Sequence, residues 1–154
     1  MRYLRALCAG VFAFALAANA SAQTLTANLN GGEETPILNT GTAEVIVDET
    51  NQEFTVTLRV FNIPTPTTAG HIHIGAAGIA GPVVINFPDA IVGRTGDFAM
   101  TFRVGPNQFV ARPAIGINTV QDAIQAIVNG NSYVNIHTQQ FPAGEIRGQL
   151  AVVK

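Results

Sequence analysis

The feature of this 154-residue sequence that most constrains its fold is an alternation of apolar and polar side chains with a period of two. It runs through residues 54–60, where Phe, Val, Leu and Val alternate with Thr, Thr and Arg, and it recurs at 97–104 and, less strictly, at 43–48. Successive side chains of a β-strand point to opposite faces, so these segments are typical of half-buried strands in an antiparallel sheet.

Shorter apolar runs supply further strands, at 24–29, 71–74, 83–87, 133–138 and 145–153. With Gly, Pro and Asn turns between them, the chain carries about seven or eight short strands. This number and spacing predict an all-β fold, a Greek-key antiparallel β-sandwich or barrel. The Pro- and Thr-rich residues 64–70 are predicted to form a surface connection that leads into the first histidines.

One segment has helical rather than strand periodicity. Residues 119–129 place four apolar side chains at helical spacing, with Asn118 or Thr119 available to cap the start and Gly130 to end it. The sequence therefore predicts one short amphipathic α-helix lying on the sandwich.

The N-terminus has the pattern of an export signal. Two arginines in residues 1–5 precede an apolar run at 6–18, and Ala20-Ser21-Ala22 offers a small-x-small cleavage site. We therefore predict a signal peptide over 1–22, a single domain over 23–154, and a secreted or periplasmic location. A buried N-terminal helix is the alternative. The apolar run is short for a membrane span, which needs about 20 residues, so no span is expected after cleavage.

Composition excludes several classes of function. The chain has 8 Lys and Arg against 10 Asp and Glu with no basic stripe, so nucleic-acid binding is not expected. Its one cysteine, Cys8, lies in the predicted signal peptide, which excludes disulfides, thiol catalysis and cysteine-ligated metals in the domain. Outside that segment the only serine is Ser132, which does not lie in a nucleophile elbow. Histidines and carboxylates remain as the candidate functional side chains.

The histidines are arranged for convergence. His71 and His73 share one face of a strand, with Cα atoms about 6.5–7 Å apart, a span over which two imidazoles can bind one metal. His137 lies on the polar face of a later strand, so three imidazoles meet if the two strands are neighbours. Imidazoles without thiolates favour copper or zinc, and copper binds more tightly. Met100 shares a face with apolar residues and is predicted to be core. The alternative is that the histidines only tie a loop to the sheet.

Other polar residues continue this face. Tyr133 and Asn135 share it with His137, and Glu145 and Arg147 follow on the next predicted strand. Glu145 is predicted to accept the second ring N–H of a histidine, the usual role of a carboxylate beside a metal ligand. Alternatively, Glu145 and Arg147 form a local ion pair. Tyr133 and Asn135 either hydrogen-bond around the histidines or brace the sheet.

Four motifs carry a resemblance to a known family. They span residues 29–36, 69–84, 130–138 and 142–150, in the family's order, and they resemble the CHRD domain, which is named for chordin and is common in secreted bacterial proteins. The similarity covers residues 24–152. It implies an extracellular β-sandwich, and bacterial members mostly lack an assigned activity. The sequence departs from the family at Pro36, which is single where two prolines are frequent, and at Ile74, where a glycine is frequent.

A weaker similarity is to copper/zinc superoxide dismutase, an immunoglobulin-like Greek-key sandwich. It implies that His71 and His73 correspond to the paired copper ligands and His137 to the late one, with Arg147 where that enzyme guides its substrate. The sequence lacks a metal-bridging histidine, a cysteine pair and a zinc loop. These departures speak against dismutase activity.

Three functions follow as hypotheses. The first is a non-enzymatic metal-binding protein of the cell envelope, with His71, His73 and His137 as copper or zinc ligands and with Glu145, Arg147, Tyr133 and Asn135 around them. The second is an extracellular protein-interaction or adhesion module in which the histidines are structural. The third is a copper redox enzyme of the dismutase type.

Overall fold

The computed structural model describes residues 22–31 and 39–154. The predicted signal peptide lies outside these residues except for Ala22, and so does most of the 29–36 motif, including Pro36.

The described residues form nine strands and one α-helix, α1 (Val120–Val128). Short 3₁₀ turns also occur, at Asp89–Ile91, Pro106–Gln108 and Pro113–Ile115. The strands are β1 (Gln23–Gly31), β2 (Thr40–Asp48), β3 (Glu53–Ile63), β4 (Thr67–Ile74), β5 (Val83–Asn86), β6 (Gly96–Val104), β7 (Ser132–Thr138), β8 (Ile146–Gln149) and β9 (Ala151–Val152). All the pairings between these strands are antiparallel. The predicted all-β fold with one short helix is confirmed.

The strands follow the order β5-β4-β7-β8-β1-β2-β3-β6, and β9 extends β8 along β1 in the same register. The halves β5-β4-β7-β8 and β1-β2-β3-β6 are joined where β8 pairs with β1, and the sheet curls around a single core. The curl brings the two ends of the sheet together. The ring of Phe87, just after β5, lies 5.0 Å from the ring of Phe102 in β6.

The period-two pattern explains the core. In β3, Phe54, Val56, Leu58 and Val60 are fully buried, whereas Arg59 points outward. The helix buries its apolar side chains on the same core, namely Val120, Ala123, Ile124 and Ile127. The Thr119 side chain accepts a hydrogen bond from the backbone of Asp122, and Gly130 follows the helix with φ of 80°, so both predicted helix ends are confirmed.

The predicted surface connection over 64–70 is wrong in its second half, where β4 already begins. Thr67 pairs with Thr138 of β7 and is buried. Its buried hydroxyl is satisfied, because it donates to the carbonyl of Ile91. A side chain at Gly70 would run into the core ring of Phe87. The small residues of this segment, which are typical of a loop in the sequence, let β4 pass close beneath the turn at Asp89–Ile91.

No helix in the part of the chain that the structure describes is long and apolar enough to cross a membrane.

Candidate metal centre

Strand pairing brings the three histidines together. β4 and β7 are neighbours in the sheet, with Ala69 opposite His137 and His73 opposite Tyr133. His71 and His73 share the outer face of β4, as predicted, and His137 projects from the same face of β7. Ile72, between the first two histidines, is fully buried in the core. The alternation that builds the core therefore also places all three imidazoles on the opposite face.

The imidazoles are in mutual contact. Nδ1 of His71 lies 2.9 Å from Nε2 of His137, and one ring nitrogen from each of the three residues lies within 4.8 Å of the other two. The His71 ring centroid lies 4.8 Å from that of His137 and 5.5 Å from that of His73. These are the only histidines of the chain.

Backbone carbonyls orient two of the rings. Nδ1 of His73 donates to the carbonyl oxygen of Gly81 at 2.8 Å, and Nδ1 of His137 donates to that of Pro142 at 2.9 Å. A carbonyl oxygen can only accept, so the proton of each neutral ring is on Nδ1 and the lone pair is on Nε2. Nε2 of His73 is buried and has no hydrogen-bond partner. A carbonyl that holds the second nitrogen is a common feature of metal-ligating histidines.

The site favours neutral imidazoles. Burial, together with the nearby His137 and His73, lowers the pKa of His71 to about 4. Burial also lowers the pKa of His73, against the opposing effect of its bond to Gly81, and the pKa of His137, against its bond to Pro142. At neutral pH all three rings are therefore uncharged, the state that a metal ion requires, and the Nε2 lone pair of His137 accepts a hydrogen bond from Nδ1 of His71.

Tyr133 and Arg147 hold a loop over this face. The Tyr133 ring stacks on His73 with centroids 4.7 Å apart and planes at 10°, and its hydroxyl accepts from the backbone N–H of Gly81 at 2.9 Å. The guanidinium carbon of Arg147 lies 3.8 Å from the Tyr133 ring centroid, and its Nη2 donates to the carbonyl of Ile79. Both residues thus contact the β4–β5 loop, residues 75–82, which carries the carbonyl that orients His73.

Asn135 lies under the second loop of the site. It is only 5% exposed, and its amide nitrogen donates to the carbonyl of Ala143 at 3.2 Å. A side chain at Gly144, where φ is 137°, would overlap the Asn135 amide. Asn135 therefore braces the turn between β7 and β8, the turn that also presents the carbonyl of Pro142.

The structure places Glu145 differently from the prediction. Its carboxylate is fully buried and accepts from the amide of Asn39 and, at 2.6 Å, from the hydroxyl of Thr138. The Glu145 carboxylate thus binds Asn39 and Thr138, and the role expected of it at a histidine is taken by backbone carbonyls. Arg147 stacks on Tyr133 instead of pairing with Glu145. The physical reason is that Glu145 precedes β8 and belongs to the turn, so the strand alternation does not extend to it.

Sequence reasoning missed Gly81 and Pro142, which act through backbone oxygens. No side-chain type marks such a role. The only signal was their position in Gly-Pro and Pro-Ala-Gly turns within the motifs that contain or follow the histidines.

Comparison with protein families gives a match to the CHRD domain over residues 25–150. Neither a curated protein nor a solved structure matches the chain. The family match covers most of the sequence and includes the whole three-histidine cluster and both of its loops. The chain therefore belongs to the CHRD domain family.

Proposed function

We propose that this CHRD domain binds a transition metal ion, copper or zinc, through His71, His73 and His137. The observation that carries the proposal is Nε2 of His73, a buried polar atom without a hydrogen-bond partner. Buried polar groups almost always have a partner, and one that lacks it calls for an explanation such as an ion. The bond from Nδ1 to Gly81 fixes the tautomer that leaves this nitrogen as a ligand.

The spacing of the nitrogens fits one ion. With metal–nitrogen bonds of about 2.0–2.1 Å, two ligands at angles of about 90–110° lie about 2.9–3.4 Å apart. Nδ1 of His71 and Nε2 of His137 already lie at such a separation, 2.9 Å, where they share a hydrogen bond. Ligation of one ion by both atoms therefore requires the proton of His71 to move from Nδ1 to Nε2. The widest separation in the cluster, up to 4.8 Å, must shrink by about 1.5 Å at most, which side-chain rotation can supply.

The proposed role is metal handling at the cell envelope, without turnover. Membership of a family typical of secreted proteins supports export, and so does the signal-like pattern of residues 1–22. A role as an extracellular protein-interaction module is the main competing function, and it requires that the histidines serve only the fold.

Metal titration tests the proposal. The full chain carrying Cys8→Ser, so that no thiol competes, is stripped of metal and titrated with Cu(II) and with Zn(II), and nitrogen ligation is followed by electron paramagnetic resonance for copper. We expect a dissociation constant below about 1 μM, and His137→Ala or His73→Ala should weaken binding by about 100-fold or more. The chain has 3 histidines, and loss of the nitrogen-ligated copper spectrum in His137→Ala or His73→Ala assigns the signal to this cluster.

Gln139→Ala is the matched control, since Gln139 is exposed and lies two residues from His137. It should leave the affinity unchanged. A wild-type protein that holds none of Cu(II), Zn(II) and, under reducing conditions, Cu(I) more tightly than about 1 μM would overturn the metal proposal and leave the interaction module as the better hypothesis.

A further inference from the structure

Resting on that proposed function, we infer that the three-histidine cluster is a cuprous site, which binds Cu(I) in preference to Cu(II). The first reason is the charge of the ligands. All three donors are neutral imidazoles, so they cancel none of the charge that an ion brings. A divalent ion would leave two positive charges at the site, whereas Cu(I) would leave one.

The second reason is the charge around the ligands. The guanidinium of Arg147 lies on the ring of Tyr133, which itself stacks on His73. Arg112 donates from Nε to the carbonyl of Val83 at 2.7 Å, and Val83 is the residue of β5 that pairs with His73. Both arginines act on His73 as positive charges and oppose a further positive charge there. This opposition doubles when the ion carries two charges instead of one.

The third reason is the lack of carboxylates in the cluster. The ligand group found among the described residues contains only the three histidines, with no Asp or Glu. The carboxylate of Glu145, the acidic residue that follows His137 in sequence, is held by Asn39 and Thr138 instead. No carboxylate within the described ligand group therefore offsets the charge of a divalent ion.

The fourth reason is the number and burial of the donors. The site offers three nitrogens, and His73 is only 7% exposed, beneath the β4–β5 loop. Zn(II) takes four ligands and Cu(II) favours tetragonal coordination, so either needs at least one more donor from solvent. Cu(I) is satisfied by three.

The test compares affinities for the two oxidation states of copper. The full chain carrying Cys8→Ser is titrated with Cu(I) without oxygen against a chromogenic Cu(I) chelator, and separately with Cu(II) in air against a matched chelator. Met100, the one methionine of the described residues, lies on β6 and packs against the core, so it does not belong to this site. We expect Cu(I) to bind at least tenfold more tightly than Cu(II), with both affinities dependent on His73.

Variants of Arg147 test the electrostatic reason. Arg147→Gln removes the charge, and Arg147→Lys keeps it while losing the planar contact with Tyr133. Arg103→Gln is the control, because Arg103 lies on β6 in the other half of the sheet and is exposed. We expect Arg147→Gln to strengthen Cu(II) binding relative to Cu(I) by about tenfold, whereas Arg147→Lys and Arg103→Gln should change the ratio by less than about threefold.

The outcomes separate this inference from the function on which it rests. A protein that binds no copper in either state overturns both. Histidine-dependent binding in which Cu(II) is held as tightly as Cu(I) overturns only the cuprous preference and leaves the metal site standing. An unchanged ratio in Arg147→Gln overturns the electrostatic explanation.

Discussion

The carbonyl oxygen of Gly81 lies 2.8 Å from Nδ1 of His73, and this contact decides which nitrogen of the ring remains free. The same oxygen lies 3.4 Å from the hydroxyl of Tyr133, and the Gly81 N–H donates to that hydroxyl. One backbone unit in the β4–β5 loop thus fixes both the tautomer of a candidate ligand and the aromatic ring stacked on it.

Gly81→Ala is predicted to damage the site through this loop. A side chain at position 81 would overlap the backbone carbonyl of Ile74, so the loop must move away from the sheet. His73 then loses its acceptor and can rotate or change tautomer. We expect metal affinity to fall by about 10- to 100-fold, the range found when the partners of metal ligands are removed. Titration with Zn(II) measures the change.

Gly78→Ala in the same loop provides the control. Gly78 has φ of 78°, so alanine there is strained by about 1–2 kcal/mol, but no atom lies within 4 Å of the new side chain. It should lower stability with little effect on metal affinity. Equal affinity losses in the two variants would contradict a specific role for the Gly81 carbonyl.

Glu145→Gln is predicted to destabilise the fold. The buried carboxylate accepts from Asn39 and from Thr138, whose hydroxyl oxygen in turn accepts from the backbone N–H of Phe141. Glutamine replaces one acceptor by a donor, so one buried donor is left facing another. Such a loss costs about 1–3 kcal/mol, which urea unfolding can measure.

The control for Glu145→Gln is Glu44→Gln, at an exposed position of β2. Changes at exposed sites without special contacts are usually within about 0.5 kcal/mol. If both variants lose the same free energy of unfolding, the buried hydrogen bonds of Glu145 do not stabilise the β7–β8 turn.

Thr119→Ala is predicted to weaken the helix without touching the site. Thr119 and Asp122 form a reciprocal capping box, with Asp122 Oδ2 accepting from the Thr119 N–H at 2.8 Å. Loss of such a cap costs about 1 kcal/mol. Urea unfolding should show this loss while the metal affinity stays unchanged. A weakened metal site in this variant would show that the helix and the histidines are coupled.

The alternation of side chains was sufficient to predict both the core and the histidine face. Once Phe54 and Ile72 are assigned to the inner face, period two places Arg59 and His71 outside, and the structure agrees. That β4 and β7 are neighbours could not be derived, because pairing between distant strands depends on the whole topology. The sequence predicted only that His137 would join His71 and His73 if β4 and β7 were neighbours.

Turns limited the rest of the prediction. Glu145 was placed on a strand face by extending the alternation one residue too far, and a turn carries no such periodicity. Its partner Asn39, 106 residues away, had no sequence signal. The carbonyls of Gly81 and Pro142 could not be predicted either, because every residue has a carbonyl and only the path of the loop selects one.

Acid is predicted to destabilise the metal-free protein in a defined pH window. An unfolded histidine has a pKa of about 6.5, whereas the pKa of folded His71 is about 4, and those of His73 and His137 are also lowered by burial. Between about pH 4 and 6.5 the unfolded chain therefore binds more protons than the folded chain. The free energy of unfolding must fall as pH falls through this window, and histidine makes no further contribution above it.

Urea unfolding at pH 7, 6 and 5 in the absence of metal measures this effect. Asp48 and Asp122 act mainly at lower pH, because hydrogen bonds with Asn51 and with Asn118 and Thr119 lower their pKa values below the ordinary value of 3.8. His71→Gln removes the most strongly shifted group and should flatten the dependence on pH. A wild-type free energy of unfolding that stays constant from pH 7 to 5 would mean that the imidazoles accept protons in the folded state, and the cluster would then not be held neutral for a metal ion.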